Sequence, residues 1–322
     1  MRGLTLKQLE AVRAIVRHGT LTAAAGAIGI TPSAMTTRLK ELEAVCGFEL
    51  FDRASAGLQM NRAGETILAL ANQVHAAIEV ADGSLSTLRG VTSGSLVIGI
   101  TSTAKYFAPR LIAEFARRYP GVDISLSVGN RLETIDALKR LKIDVAIMGR
   151  PPAWLDLVSE PFGDHPMIMI GPPDHPLAGQ VDIDRSAIAE ERFLMREEGS
   201  GTRVVFEEFF HGPVRRDSNF NIEIGSNETI KQGVMAGLGL ALISAHTVAF
   251  EVETGRLAVL HVKGLPIRRT WYVAYPADKA VLPAMKAFRE FTLTEGAGHL
   301  PKLSGLAPAE SPKLLGSGVD VT

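Results

Sequence analysis

Leu6, Leu9, Val12 and Val16 fall at helical spacing and His18-Gly19 ends the pattern, which predicts a first helix. Thr20 then stands as N-cap to LTAAAGAI, a short helix whose small residues let another helix approach closely. Gly29 fits a tight turn, and Thr31-Pro32 restart the chain as N-cap and first residue of a third helix. This helix has no capping box, because Ala34 stands where Glu or Gln would be. Its helical period puts Met35, Leu39, Leu42 and Cys46 on one side, the core side, and points Ser33, Thr36, Thr37 and Lys40 the opposite way. The outward face thus carries short hydroxyls where a surface helix usually carries long charged side chains.

After Gly47, FELFDRASAGLQMN alternates apolar and polar residues around Ala56-Gly57, as a two-stranded wing would. Asn61 offers a cap to a long helix running from about Arg62 to Arg89. Along it Ile67, Leu70, Val74, Ala77, Ala81, Leu85 and Leu88 keep a near-heptad seam. A helix of that length spans roughly 40 Å. Its stripe is too long to hide against so small a domain, so pairing with a second copy is expected. From 90–94 onward strands and helices alternate: SLVIGI, a helix from about 105 to 119, VDISLSV, a helix over 132–142, then DVAIMG. That is a parallel α/β pattern with short connections. Further strands are expected at 167–171, 192–195, 220–225, 240–244, 257–262 and 270–275, with helices near 202–211, 227–237, 245–254 and 278–294. The tail from Gly296, rich in Gly, Pro and Ser, is expected to be disordered.

Composition narrows the setting. The chain's 322 residues suffice for two or three domains, and 46% hydrophobic with 21% charged residues is ordinary for a globular protein. The net charge of -1 hides a division: residues 1–64 hold eight Lys/Arg against five Asp/Glu, +3, and the remainder holds 26 against 30, -4. The lone Cys46 can form neither an internal disulfide nor a thiolate metal site, which fits a reducing interior. The first helical pattern is amphipathic rather than a signal peptide, and no long uninterrupted apolar run occurs, so a cytoplasmic protein without a membrane partner is expected.

Two short helices joined by a Gly-containing turn, the second with an exposed polar face, make a helix-turn-helix pattern. Such a helix enters the DNA major groove, where its residues must be short enough to permit approach yet able to bond to base edges and phosphates. Ser33, Thr36 and Thr37 meet both demands, Arg38 and Lys40 can reach phosphate or guanine, and Arg53 and Arg62 could grip the flanking backbone. A solvated helix in a bundle is the alternative on spacing alone. The first 65 residues resemble the winged helix-turn-helix domain of LysR-type transcriptional regulators, through LTLKQLEAVRAIVRHGTLTAAA, ITPSAMTTRLKELE, LFDR at 50–53 and NRAGE at 61–65. The resemblance implies DNA-reading positions at Ser33, Thr36, Thr37, Arg38 and Lys40, with Arg53 on the wing. Pro32 and Asn61 depart from the Gln and Thr common in that family, and both are sound substitutes at helix starts.

With the resemblance, the expected fold is α/β. A winged helix-turn-helix occupies 1–61, a linker (dimerisation) helix 62–89, and a two-lobed, periplasmic-binding-protein-like effector domain 90–295. Lobe I covers about 90–163 and 268–295, and lobe II about 164–267. The resemblance further implies no cofactor, a homo-oligomer (dimer or, by family habit, homotetramer), operator DNA and RNA polymerase as partners, and a small molecule held in the α/β part. Physically sensible anchors for an anion are Thr101, Ser102 and Thr103, which follow a strand at the start of a helix, Ser200, Gly201 and Thr202 leading a helix with Arg203 beside it, Arg150 closing DVAIMGR, and Asn227 at a helix start. Each alone could be a plain helix cap; their joint occurrence with two arginines favours an anionic effector. TSTAKYFAPRLIAEF, DVAIMGRPP and REEGSGTR are similar to the CbbR subgroup, which controls carbon-fixation (Calvin-Benson-Bassham, RuBisCO) operons. That implies a phosphorylated Calvin-cycle metabolite or NADPH as effector. A LysR-type regulator of another operon is the nearer alternative; a solute-binding protein or small-molecule enzyme is the rival from another class. Against an enzyme, the eight histidines show no metal-ligand spacing, EEGSGT has Glu198 where a nucleophile elbow needs glycine, and GLGLAL reads as a helix end leading into a strand.

Overall fold

The computed structural model describes residues 3–54, 57–88, 93–210, 221–279 and 281–303. They form two compact units: Met1–Pro161 with Tyr272–Gly296, and Phe162–Trp271 with the segment from Ala297. The first unit contains both the helical head and an α/β lobe.

In the head, α1 (Leu6–His18) begins on Thr5 with a capping box completed by Gln8 and ends on Gly19 in the left-handed region, φ 77°. α2 (Leu21–Ala27) is capped by the Thr20 hydroxyl and α3 (Pro32–Cys46) by that of Thr31. Met35 and Leu42 are fully buried and Leu39 nearly so, packed with Leu9, Val12 and Ile15. Cys46 departs from the expected core position: it is half-buried at the rim of this cluster. β1 (Phe51–Ala54) pairs antiparallel with β2 (Gly57–Met60) as the wing, whose residues 55–56 lie outside the described set. α4 (Arg62–Leu88) starts where Asn61 Oδ1 accepts the Gly64 amide at 3.0 Å. Its opening turns do find cover, since Ile67 and Ala71 belong to the head core.

The lobe of the first unit has parallel strands β3 (Ser93–Thr101), β4 (Gly121–Gly129) and β5 (Val145–Met148), with β3 between the other two. α5 (Ala108–Arg118) and α6 (Arg131–Lys139) connect them. The all-parallel expectation is corrected here: β11 (Ile267–Pro276) pairs antiparallel with β5. It is a return strand, entering from the second unit and leading into α10 (Pro283–Glu295). That last helix starts later than the 278 expected because Pro283 suits only a first turn.

In the second unit the apolar run at 167–171 lies within β6 (Leu157–Gly171), a strand far longer than expected. Met167 and Met169 face one core while Ile168 and Ile170 face the other, so the run is continuous because both faces are covered. β9 (Ala241–Ser244) and β10 (Ala258–Leu260) flank it antiparallel. β7 (Phe193–Arg196) and β8 (Asn221–Ile224) pair in parallel. α7 (Gly201–Phe209), α8 (Asn227–Met235) and α9 (Ala245–Glu253) complete it. GLGLAL is a helix end running into β9: Gly239, at φ 154°, lets the chain pass where a Cβ would lie 2.3 Å from the Arg192 carbonyl oxygen. The tail expectation is corrected at its start, where residues 296–299 form a 3-10 turn and Leu303 packs on the second unit's core; 304–322 lie outside the described residues.

Candidate functional site

α3 presents a surface built for approach. Ser33, Thr37 and Lys40 are exposed, and Thr36 and Arg38 half-buried, on the side away from Met35, Leu39 and Leu42. Its hydroxyls hold internal hydrogen bonds: Thr36 Oγ1 donates to the Pro32 carbonyl at 2.9 Å, Thr37 Oγ1 donates to the Ser33 carbonyl at 3.1 Å, and the Thr31 and Ser33 hydroxyls meet at 2.9 Å. Each oxygen keeps acceptor capacity, and each donor can swing to a phosphate or base without moving the backbone. Arg53 is placed on the wing strand, in register with Leu58.

In the first unit the candidates gather at the carboxyl ends of neighbouring parallel strands, where open α/β sheets bind ligands. Thr101 ends β3 and is nearly buried, as is Thr103; Ser102, half-buried, donates its amide to the Gly129 carbonyl at 2.7 Å. One expectation is corrected. These residues do not open a long helix, because a three-residue 3-10 turn, Ala104–Tyr106, intervenes and α5 begins at Ala108. Pro109 dictates this: it is tolerated only in a first helical turn, so the helix must restart just before it. Arg150 lies past the end of β5, exposed, its carbonyl accepting from Arg131 at 3.4 Å.

The second unit brings a tighter set together. Ser200 caps α7 by accepting the Thr202 amide at 3.3 Å, and Asn227 opens α8; Ser200, Thr202 and Asn227 are all buried, Gly201 half-buried. Arg203 is committed elsewhere, to Glu207 at 2.9 Å and to Glu223. The guanidinium at this place is Arg196, at the carboxyl end of β7 and only 2% exposed. It donates to Asn227 Oδ1 and, in bidentate fashion, to Glu197 at 2.7 and 2.8 Å. Asn227 Nδ2, Ser244 Oγ and Thr247 Oγ1 are buried with no hydrogen-bond partner among the described residues. Buried polar groups are ordinarily satisfied, so such orphans mark a place where water or a ligand belongs. Sequence reasoning missed Arg196, Ser244 and Thr247. The signal was available for Arg196, which ends its strand within REEGSGTR just as Arg150 follows DVAIMG. Nearby, His246 Nδ1 accepts from Trp271 Nε1 at 3.1 Å, and His165 stacks on Trp271 at 3.9 Å.

Residues 6–65 match the bacterial regulatory helix-turn-helix protein, lysR family, and residues 89–297 match the LysR substrate binding domain. The chain belongs to the LysR family. This LysR-type regulator is similar to the HTH-type transcriptional regulator CbbR of Sinorhizobium medicae, 44% identical over 311 residues that cover 97% of this chain and 99% of that one. It is 40% identical over 296 residues to the RuBisCO operon transcriptional regulator of Allochromatium vinosum, covering 91% of this chain and 97% of the relative. Among solved structures it resembles the regulatory domain of Synechocystis PCC6803 CcmR in complex with 2-PG, at 38% identity and a TM-score of 0.58 over 63% of this chain and 97% of that one. The LysR-type regulator is therefore a DNA-binding transcription factor and not an enzyme.

Proposed function

We propose that this LysR-type regulator controls carbon-fixation genes, the RuBisCO operon first among them, in response to a small anionic metabolite such as a sugar phosphate or NADPH. The observation that carries the metabolite part is the buried Arg196 guanidinium beside Asn227 and Ser200, with orphaned hydroxyls on Ser244 and Thr247 in the same unit. A guanidinium and helix N-termini at strand ends match a phosphate or carboxylate. Within the first unit the anion candidates are Thr101, Ser102, Thr103 and Arg150, and within the second Gly201 and Thr202 join Ser200 and Asn227. Arg203 serves by fixing Glu223 and the Arg196 carbonyl rather than by touching the ligand. The operon assignment rests on the kinship with CbbR and with a RuBisCO operon regulator. α3 reads the operator through Ser33, Thr36, Thr37, Arg38 and Lys40 while Arg53 contacts the backbone beside it. α4 pairs subunits into a dimer or tetramer, and the bound assembly engages RNA polymerase.

The test is binding of the full chain to the promoter regions beside its own gene and beside a RuBisCO operon, with and without sugar phosphates. A complex whose midpoint shifts with phosphorylated sugars, but not with the parent sugars, is expected. A complex indifferent to every anion would refute the sensing role, and selective binding to another operon's promoter would refute the carbon-fixation role.

A further inference from the structure

Two cavities of about 240 and 440 Å³ lie within the first unit, where the head meets the lobe of that same unit. They share Arg13 and Arg17 from α1, Asn72 and His75 from α4, and Leu141 from the turn after α6. Lys139 and Arg140 also line the smaller one, whose single carboxylate among the described residues is Glu10. Four Lys/Arg thus converge from two parts of the unit on one carboxylate. Arg140 has a surface partner in Asp136 at 2.8 Å, whereas Arg17 and Lys139 have no carboxylate partner among the described residues. Like charges brought together repel unless an anion lies among them.

Two further features show that the place is shaped. Arg13 Nε donates to Asn72 Oδ1 at 3.1 Å, which fixes that guanidinium against α4. Leu141 adopts φ 54° as it closes α6, with its amide on the Leu138 carbonyl and that of Lys142 on the Ala137 carbonyl. Helix ends of this geometry ordinarily use glycine, and a leucine there is held in a strained backbone conformation by its surroundings. Its position forms the wall common to both cavities. The larger cavity is differently lined: Lys279 is neutralised by Asp144 at 2.7 Å, and Ser95, Asn72 and Asp278 offer hydrogen-bonding groups suited to hydroxyls.

We propose that these adjoining cavities are a second anion site, taking a small phosphorylated polyol with its phosphate among Arg13, Arg17, Lys139 and Arg140 and its hydroxyls toward Ser95 and Asp278. The site is separate from the Arg196 groups of the second unit. Because α1 belongs to the DNA-binding head and residues 139–141 to the lobe, occupancy ties the two together, and anion and operator affinities become linked reciprocally.

Isothermal titration of the full-length protein with sodium pyrophosphate at fixed ionic strength tests this. Two binding events per protomer are expected. Arg17→Glu with Arg140→Glu should weaken one at least tenfold and leave the other, while Arg196→Met should do the converse. Arg117→Glu with Lys286→Glu, an equal charge change outside the cavities, should leave both. If neither event weakens in the Arg17 and Arg140 variant, the second site is overturned; if neither weakens in Arg196→Met, the effector assignment is overturned instead. Should the double reversal unfold by circular dichroism, Arg17→Gln with Lys139→Gln carries the same two outcomes.

Discussion

Arg196 holds a charge at 2% exposure, which is tolerable only because Glu197 and Asn227 satisfy it. Replacing it with Met strands Asn227 further and frees Glu197, so Arg196→Met is expected to lower stability by about 2 kcal/mol and to abolish the anion response in DNA binding; urea unfolding and operator titration measure the two. The buried histidines of the second unit give a pH signature. Burial pushes His246 down to about 4. His165 lies well below the ordinary imidazole range, through burial first and then through His246 and Arg269. Both stay neutral when folded where the unfolded chain binds a proton, so the stabilisation is complete above about pH 6.5 and is lost as pH falls from there toward the folded values. For His246 the loss by pH 5 is about 2 kcal/mol, at about 1.4 kcal/mol per pH unit. Urea midpoints should therefore fall between pH 7 and 5, less steeply in His246→Gln; an unchanged slope in that variant would count against the assignment. At this scale the outward hydroxyls of Thr36 and Thr37 were legible because periodicity alone says which way a helical residue points. The strand-end position of Arg196 was legible in the same way, but its burial was not, because burial of a charge depends on strands that meet only in the folded chain.

Among the elements, α3 separates the face that holds it from the face proposed to read DNA: Met35, Leu39 and Leu42 fix it while its other face stays available. Its start depends on the Thr31 hydroxyl, which accepts the Ala34 amide at 3.2 Å. Thr31→Ala should cost the head about 1 kcal/mol, as loss of an N-cap does, visible in its thermal unfolding. Leu141→Gly should instead raise stability slightly, by up to about 1 kcal/mol, by relieving a left-handed leucine. The helices of the head were readable because Thr20, Thr31 and Asn61 announce their starts and Gly19 its end. The break before α5 was harder, since TSTAKYF has no breaker of its own and only Pro109 betrays it. Antiparallel β11 was illegible for another reason: its partner β5 lies more than a hundred residues upstream, and a buried strand reads the same in either direction.

For the whole molecule, the head's basic charge and the two α/β halves describe a DNA reader joined to a small-molecule sensor, and family membership extends over both. The proposed self-association through α4 makes its exposed Ile78 a useful probe. Ile78→Arg should shift sedimentation toward lighter species and weaken operator binding together, because two half-sites must be held at once. The most direct test of the central claim is operator affinity as a function of salt, by fluorescence anisotropy, for the full chain and for Thr36→Ala with Arg38→Ala. The wild type should bind its promoter far more tightly than scrambled DNA, with affinity falling steeply as salt rises, and the variant should lose most of that preference while keeping its fold. Equal affinity of wild type and variant for the promoter, or no preference over scrambled DNA in the wild type, would contradict the assignment of α3 as the reading element.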